Sequence, residues 1–444
     1  MKCIKYFLML MFYFLIIKQS SAQQDSVKLP FAISKLKRLS DEDLANKKEG
    51  VYLTGVPDIS SDPVNGFGYG AEGSLYFSGK RSDPFFEYTP YRAKIDFILF
   101  NTTRNQREAK LVWDIPYIFD TKWRLRGKAV YEINPNLLYF GINENSLLPL
   151  NYYPDGDSSK TIVKSAKYSD YQNSLTGENE FYNTYTKQEA KLNLSIEHSY
   201  LEGKLRLLLG YEFAKLNLTS FSGNSLLQND FNKGTIIGVG KSTLSFVQTG
   251  LIYDTRDLET NPSNGIFAEL TNELSLKALG SVSDFNKTFV HLNYYHQLFP
   301  SVFKKLIFAG RIGMGYTQGN AVFFEYQDEW SPEGSIGGLG GAKSLRGYKQ
   351  SRFLSRVMQF TNLELRYQIT QFNFLKQHLA ISGVPFFDIG GVWNSLDRIN
   401  QVENYRYSPG LGMRIAWNVN TILRFDYAVS KEDRQLFFGL GHSF

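Results

Sequence analysis

The sequence predicts an all-β fold, a 16-stranded antiparallel transmembrane β-barrel. Three observations lead to this prediction: the composition, a two-residue hydrophobic period, and an even number of strand-like segments. Aromatic residues make up 15% of the 444 residues, and hydrophobic residues only 43%. A protein of membrane-spanning helices would be more apolar, and a disordered chain would have few aromatic residues. The composition therefore favours long strands with one apolar face.

Residues 1–22 are predicted to form a secretory signal peptide. Two lysines precede an apolar run, residues 6–17, and the small residues 20–22 suit cleavage before Gln23. The apolar run is too short for the alternative, a membrane-anchoring helix. Cleavage would remove Cys3, the one cysteine, and three of the 49 Lys and Arg residues, which leaves 46 basic against 43 acidic residues. This near balance argues against nucleic acid as a partner.

Residues 23–65 are predicted to form a short periplasmic segment. Ser40 could cap a short helix, because residues 41–43 are acidic and Lys47 and Lys48 follow near its end. A solvated linker is the alternative. In either case the segment is too short for a separate globular domain.

Residues 66–444 are predicted to form the barrel itself. In the segment 410–417, Leu411, Met413 and Ile415 alternate with small residues and Arg414. Such a period of two, with charges on the second face, predicts strands that turn one face to lipid and the other to a wet lumen.

The strand-like segments number 16, an even number typical of bacterial barrels with both termini in the periplasm. They are residues 66–78, 91–103, 107–118, 122–134, 137–145, 184–200, 203–218, 241–253, 264–277, 284–299, 304–318, 353–369, 375–393, 405–418, 420–430 and 434–444. Short turns such as 134–136 and 201–203 are expected at the periplasmic edge. Long loops near 146–183, 219–240 and 319–352 are expected outside.

One of these loops contains the glycine-rich segment 336–348. A nucleotide-binding loop is rejected, because no G-x-G-x-x-G spacing stands between a strand and a helix. The segment 234–243 is rejected as a phosphate-binding loop because it has one residue too many before Gly-Lys-Ser.

Four motifs carry a resemblance to a known family. Leu345-Arg346-Gly347-Tyr348 resembles the signature of the BamA/TamA outer-membrane assembly superfamily, also called the bacterial surface antigen family. The resemblance implies that the loop between strands 11 and 12 folds into the lumen with this motif at its tip. Three further motifs follow in the family's order: Asp254, Arg256, Asp257, Pro262 and Gly265 in the periplasmic turn between strands 8 and 9, Glu364 on strand 12, and Phe386, Asp388 and Gly390 on strand 13. The motifs cover residues 244–444, and the preceding half matches by strand count.

The residues themselves support a lumenal site. Phe386, Asp388 and Gly390 are two apart and share one face of a strand. A lumenal Arg346 could then form bidentate, charge-assisted hydrogen bonds with Asp388 and Glu364. The alternative is that Arg346 is a solvated loop residue.

Both ends of the predicted barrel carry further signals. Leu440, His442 and Phe444 resemble the C-terminal targeting signal of outer-membrane barrels, with His442 where an aromatic residue is usual. The predicted first strand has four glycines, Gly66, Gly68, Gly70 and Gly73. Because glycine weakens strands, we expect a labile seam between the first and last strands. The alternative is that these glycines only permit curvature.

The sequence predicts neither an enzyme nor a metal or cofactor site. The five histidines are scattered, and His291 and His296 would face opposite sides of one strand. No H-E-x-x-H or G-x-S-x-G motif is present.

The resemblance implies a bacterial outer-membrane location, with outer-membrane lipids, lipopolysaccharide and β-barrel client proteins as partners. The sequence departs from the family because residues 23–65 cannot hold a periplasmic POTRA domain. Three functions stay open: protein insertion or membrane remodelling through the seam, with a separate periplasmic partner replacing the missing arm; a plugged pore for solute or polypeptide; or a structural barrel, which could be a homodimer.

Overall fold

The computed structural model describes residues 28–62, 66–151, 167–221, 223–375 and 377–444. The predicted signal peptide lies outside the described residues.

A single antiparallel sheet dominates the structure, and its 16 strands pair in chain order. They are β1 (Val51–Asp62), β2 (Gly66–Phe77), β3 (Ala93–Thr102), β4 (Arg107–Ile115), β5 (Trp123–Leu138), β6 (Thr184–Tyr200), β7 (Leu205–Ser220), β8 (Gly240–Asp254), β9 (Gly265–Ser275), β10 (Phe285–Gln297), β11 (Leu306–Gly319), β12 (Val357–Phe374), β13 (Gln377–Trp393), β14 (Arg406–Trp417), β15 (Thr421–Val429) and β16 (Arg434–Leu440). A separate hairpin joins Asp328–Glu329 to Ile336–Gly337 in the loop between β11 and β12. The predicted all-β, 16-stranded fold is confirmed.

One predicted strand is wrong and one strand was not predicted, so the total of 16 is unchanged. The first strand is Val51–Asp62, within the segment expected to precede the barrel, and the predicted first strand is β2. The predicted strand 137–145 does not exist, because β5 continues through a register shift between Asn134 and Leu137 and ends at Leu138. The turn expected at 134–136 is this irregularity.

Each strand turns one face outward. On β6, Leu192, Leu194 and Ile196 are 42–44% exposed, whereas Asn193 and Ser195, which alternate with them, are buried. An exposed apolar belt around a polar interior is the pattern of a lipid-facing barrel wall. Among the described residues, no helix is long and apolar enough to cross a membrane.

The two ends of the sheet meet through side chains. Thr54 of β1 and Thr421 of β15 bring their Oγ1 atoms within 2.8 Å. The hydroxyl of Tyr76 on β2 donates to the carbonyl of Asn420, at 3.0 Å. The sheet therefore curls until β1 and β2 stand beside β15.

In the described part of the chain, three short α-helices lie outside the sheet: α1 (Asp41–Asn46), α2 (Tyr168–Ser174) and α3 (Leu226–Asn232). Single 3₁₀ turns occupy Lys35–Lys37, Ile118–Asp120, Asn143–Leu147, Gly177–Asn179, Leu201–Gly203, Lys277–Leu279, Phe323–Gln327, Leu396–Arg398 and Val402–Asn404. The helix predicted after Ser40 is confirmed, because the Ser40 Oγ accepts a hydrogen bond from the Asp43 N–H at 3.1 Å. Its acidic first turn suits the positive end of the helix dipole.

Residues 28–50, which we call the N-terminal cover, lie across the end of the barrel at which β1 begins and β16 ends, the terminal end. The Leu39 N–H donates to the carbonyl of Glu87, in the β2–β3 connection, at 2.8 Å. Leu39 itself is buried with Leu258 of the β8–β9 turn and Val419 of the β14–β15 turn. The cover thus contacts turns on different sides of the terminal end.

The opposite end, the loop end, is closed by an apolar cluster. It contains Tyr139, Leu227 of α3, Leu244 of β8 and the loop residues Val322 and Phe323, all at most 1% exposed. The long loops therefore pack on one another there, and the polar interior lies between this cluster and the N-terminal cover.

Candidate functional site in the lumen

The loop between β11 and β12 folds into the barrel. Leu345, at the loop tip, is fully buried in an apolar cluster with Phe360 of β12 and Phe289 of β10. Tyr348, 2% exposed, packs in the same cluster. The four-residue motif Leu345–Tyr348 therefore lies in the lumen, with apolar residues on both sides of Arg346.

Arg346 is fully buried and contacts three carboxylates. Its Nε donates to Asp388 Oδ2 and its Nη2 to Asp388 Oδ1, both at 2.8 Å, which is the bidentate geometry. Its Nη1 donates to Glu364 at 2.9 Å and to Asp426 at 3.0 Å. The guanidinium also lies over the Phe386 ring, 3.5 Å from the ring centre. The alternative of a solvated Arg346 does not match this structure.

Two of the three carboxylates are shared with other arginines. Glu364 accepts a hydrogen bond from Arg366 Nε at 2.9 Å, and Asp426 accepts one from Arg414 Nη1 at 2.6 Å. Arg414 also reaches Glu364, at 3.2 Å. Every member of this group, which we call the Arg346 cluster, is at most 4% exposed. Buried charges of opposite sign that share hydrogen bonds offset one another's desolvation cost.

Two glycines let the loop approach the wall. Gly347 has φ +95°, and a Cβ there would lie 3.0 Å from the Cβ of Ser408 on β14. At Gly390 on β13, a Cβ would lie 2.5 Å from the Leu339 side chain in the loop. The Phe-x-Asp-x-Gly motif therefore supplies the stacking ring, the carboxylate and the space that the loop needs.

The turn motif between β8 and β9 forms a second polar centre, at the terminal end. Arg256 Nε and its backbone N–H both donate to Asp254 Oδ1 at 3.0 Å. Asp254 also pairs with Lys37 of the N-terminal cover, at 3.0 Å. Burial lowers the pKa of Lys37, and Asp254 opposes that shift. Arg256 Nη2 continues to Glu333 of the lumenal loop at 3.2 Å, so this turn joins the cover to the loop.

The remaining turn residues shape the backbone. Asp257 accepts hydrogen bonds from the N–H groups of Leu258 and Ser263, each at 2.9 Å. Pro262 is buried within the turn. Gly265 has φ +114°, and a Cβ there would collide with the carbonyl of Thr255.

The C-terminal residues do not continue the last strand. β16 ends at Leu440, and Gly441 has φ +81°. Beyond it the chain enters the lumen, where the Phe444 carbonyl accepts from Arg366 Nη2 at 3.0 Å and the Phe444 ring lies 4.8 Å from the Arg311 guanidinium. The predicted last strand, 434–444, is therefore too long, because the positive φ at Gly441 turns the chain inward. We call residues 441–444 the C-terminal tail.

The four glycines expected at the seam also lie elsewhere. Gly66, Gly68, Gly70 and Gly73 are on β2, which pairs with both β1 and β3. The seam, meaning the junction of β1 with β15 and β16, therefore does not contain them. At Gly70 a Cβ would lie 2.9 Å from the Phe100 Cα, so this glycine allows close strand packing.

The sequence reasoning missed several members of the site. Arg366, Arg414 and Asp426 were not linked to Arg346, although their alternation with apolar residues places them on the lumenal face. Arg352, which is 1% exposed, was also missed; it binds Glu432 in the β15–β16 turn in a bidentate manner, at 2.8 and 3.0 Å. Nothing in the sequence around Arg352 distinguishes it from a solvated loop residue.

The histidines stay dispersed in the structure. His291 is buried between Phe267 and Phe289, with its ring 5.2 Å from each. In the described part of the chain, no group of three His, Cys, Asp or Glu side chains is placed to hold a metal ion.

These features define the class of protein, a transmembrane β-barrel with a loop pinned inside its lumen. Residues 92–444 match the Omp85 superfamily domain, and the chain therefore belongs to the Omp85 superfamily. Residues 29–92 match a domain of unknown function, DUF5982. The family predicted from the four motifs is confirmed, and the protein is an outer-membrane β-barrel.

Individual relatives are similar over part of their length. The outer membrane protein assembly factor BamA of Nitratidesulfovibrio vulgaris (strain Hildenborough) is 30% identical over 187 residues, which are 39% of this chain and 22% of that protein. BamA from Haemophilus ducreyi lacking POTRA domains 1-3 is 14% identical, with a TM-score of 0.50 over 89% of this chain and 70% of that structure. CdiB from Escherichia coli is 10% identical, with a TM-score of 0.53 over 88% and 62%. At these identities the two structures show a shared fold.

Proposed function

We propose that this barrel acts at its seam, where it helps β-strands of other barrel proteins to enter the outer membrane. The observation that carries the proposal is the early end of β16. The last residue of β16 that pairs with β15 is Leu440, opposite Leu423. The Gly441 N–H then donates to the carbonyl of Ile422 at 2.8 Å. In a continued ladder, residue 442 would stand beside Thr421.

A different strand contacts that position. Thr421 meets Thr54 of β1 at 2.8 Å, while His442 Nε2 lies 2.9 Å from Asn261 Oδ1 at the terminal end. β16 is 7 residues long, whereas β1, which meets β15 beyond the end of β16, is 12 residues long. Strands of such unequal length leave backbone N–H and C=O groups of the longer one unopposed, and an unopposed edge can accept an added strand.

The name of one relative supports protein assembly as the activity at the seam. The one with 30% identity bears the name of an outer membrane protein assembly factor. The region shared with this chain is only 22% of that protein, so the relative's name does not establish assembly activity here. We propose that activity for this chain. A separate periplasmic partner would bring clients to the terminal end.

The test is a disulfide across the seam, made in a chain whose one natural cysteine is Cys3. Thr54 of β1 stands beside Thr421, two residues from Leu423, the partner of Leu440. Cysteines therefore replace Gly55 of β1 together with Phe438 or Leu440 of β16, the residues of β16 nearest to that contact. The matched control pairs cysteines at Ala71 and Leu99, which are direct partners on β2 and β3. Folding of a small barrel client into proteoliposomes is followed with each pair reduced and oxidised.

We expect the protein to accelerate client folding, and we expect the acceleration to disappear when a seam pair is oxidised but not when the control pair is. Unchanged acceleration with a fully cross-linked seam would refute the seam mechanism. No acceleration in any state would refute autonomous insertion.

A plugged pore is the second candidate, favoured by the buried loop between β11 and β12. Its test is single-channel conductance of the Arg346→Ala variant, since this substitution removes the four side-chain hydrogen bonds between the loop tip and the carboxylates of the wall. A large, persistent increase over wild type supports a plug, and unchanged conductance argues against it.

A further inference from the structure

A cavity of about 50 Å³ lies at the terminal end, between α1 and the barrel wall. The charges on its two sides are opposite. The wall supplies basic or imidazole side chains, namely Lys305, Arg366, His378, Arg414 and His442. The acidic residues that line it, Glu42 and Asp43, both belong to α1.

Two donors on the wall are unsatisfied. Arg366 and Arg414 are 4% and 2% exposed, and the described structure gives Arg366 Nη1 and Arg414 Nε no hydrogen-bond partner. The charges of both guanidiniums are already paired within the Arg346 cluster. A buried donor without an acceptor is still costly, so these two N–H groups favour an acceptor oxygen in the cavity.

α1 already offers such oxygens, but only at the rim. Glu42 Oε1 lies 3.6 Å from Lys304 Nζ, at the edge of β11. The apolar anchor of the helix is its neighbour Leu39, which is 2% exposed against Leu258 and Val419. Lys47, directly after the helix, adds polar contacts to the carbonyls of Phe86 and Thr89. α1 is thus an acidic peptide, tethered to the barrel, that lies over a cationic wall.

We propose that this wall is a binding site for a carboxylate-rich polypeptide segment, and that α1 is its resident occupant. An acidic segment of a partner would displace α1 and place a carboxylate near Arg366 and Arg414. Charge complementarity favours such a segment, because the acidic lining residues come from the occupant and the basic ones from the wall. The cavity shares Ile422 and His442 with the end of the seam, but binding of a peptide there does not require strand addition.

The test uses a fluorescent peptide with the sequence of Ser40–Asn46, and its neutral counterpart with Asn and Gln in place of the acids. Leu39→Asn removes the apolar anchor of α1. Its matched control is Leu36→Asn, since Leu36 is on the same segment but 59% exposed. Binding is measured by fluorescence anisotropy on the full chain in detergent, with heat-modifiable gel mobility as the test of folding.

We expect the acidic peptide to bind the Leu39→Asn variant about tenfold more tightly than wild type or Leu36→Asn, because α1 no longer competes with the peptide for the wall. Adding Lys305→Gln should weaken binding about two- to fivefold, the range for a partly exposed charge pair. Lys80→Gln, on an exposed residue of the β2–β3 connection, should not change it.

A second variant, Glu42→Gln with Asp43→Asn, leaves the apolar anchor intact and should also admit the peptide. Equal binding of the acidic and neutral peptides would overturn the proposal. The proposal would also be overturned if the acidic peptide did not bind those of the two variants that form a folded barrel. Displacement of the peptide by inorganic phosphate at equal concentration would assign the site to small anions instead.

Discussion

Replacement of Arg346 by alanine should be among the most destabilising single substitutions in the barrel. Arg346 is fully buried, makes four side-chain hydrogen bonds to three carboxylates, and stacks on Phe386. Removing one partner of a buried ion pair leaves uncompensated charge and costs about 3–5 kcal/mol. Arg346→Lys keeps the charge but loses the bidentate contact, so we expect about 1.5–3 kcal/mol, the value of a hydrogen bond to a charged group.

The matched control is Arg398→Ala. Arg398 pairs with Glu144 at 3.0 Å, close to the Arg346–Glu364 distance of 2.9 Å, but its side chain is 49% exposed. An exposed pair of this kind contributes less than about 1 kcal/mol. The free energy of unfolding in urea is measured for all three variants by tryptophan fluorescence in micelles, together with proteolysis of the loop 320–356. The reasoning is refuted if Arg346→Ala and Arg398→Ala differ by less than about 1 kcal/mol.

Three further substitutions test other contacts. Gly347→Ala should cost about 1–3 kcal/mol more than Gly280→Ala in urea unfolding, because both residues have positive φ (95° and 93°) but at Gly280 no atom lies within 4 Å of an added Cβ. Asp257→Ala should speed hydrogen exchange at the three turn N–H groups that donate to the Asp257 carboxylate, and Asp257→Asn should have an intermediate effect. Equal exchange rates in all forms would contradict this. Arg352→Ala should raise protease cleavage of the lumenal loop, since its bidentate contact with Glu432 is lost, and Glu432→Gln should have a smaller effect.

The architecture could be predicted because the lumenal and lipid faces impose a strict period of two. That period alone places Glu364, Asp388 and Arg414 on the inner face. It cannot say which inner residues meet. Asp426 reaches Arg346 because β15 curves round to face the loop, and this distance depends on the closure of the whole sheet.

The first strand was missed because it breaks the strand pattern. Val51–Asp62 contains Gly55, Pro57 and Asp58, which are residues that ordinary strands avoid. A strand at the edge of a sheet tolerates proline, since only one of its sides needs a full ladder of hydrogen bonds. The seam was consequently expected one strand too late.

The inward turn of the C-terminal tail could not be predicted from the sequence either. Leu436, Phe438, Leu440, His442 and Phe444 alternate without interruption, so the pattern predicts a strand to the last residue. The change of direction depends on one torsion angle, φ +81° at Gly441, which glycine permits but does not require. The tail is held by the donors Arg311 of β11 and Arg366 of β12, by the Tyr295 ring of β10 and by Asn261 of the β8–β9 turn, all far away in sequence.

The loop tip and the seam are joined by two arginines. Arg366 donates to Glu364, which Arg346 also binds, and to the Phe444 carbonyl at 3.0 Å. Arg311 donates to the Asn362 side chain and to the backbone carbonyls of Lys343 in the loop and Ser443 in the tail. Because the same side chains hold the loop and the tail, loss of the loop contacts must weaken the hold on residues 441–444. The position of the tail sets where β16 ends, so the docked loop and the short last strand are two parts of one arrangement.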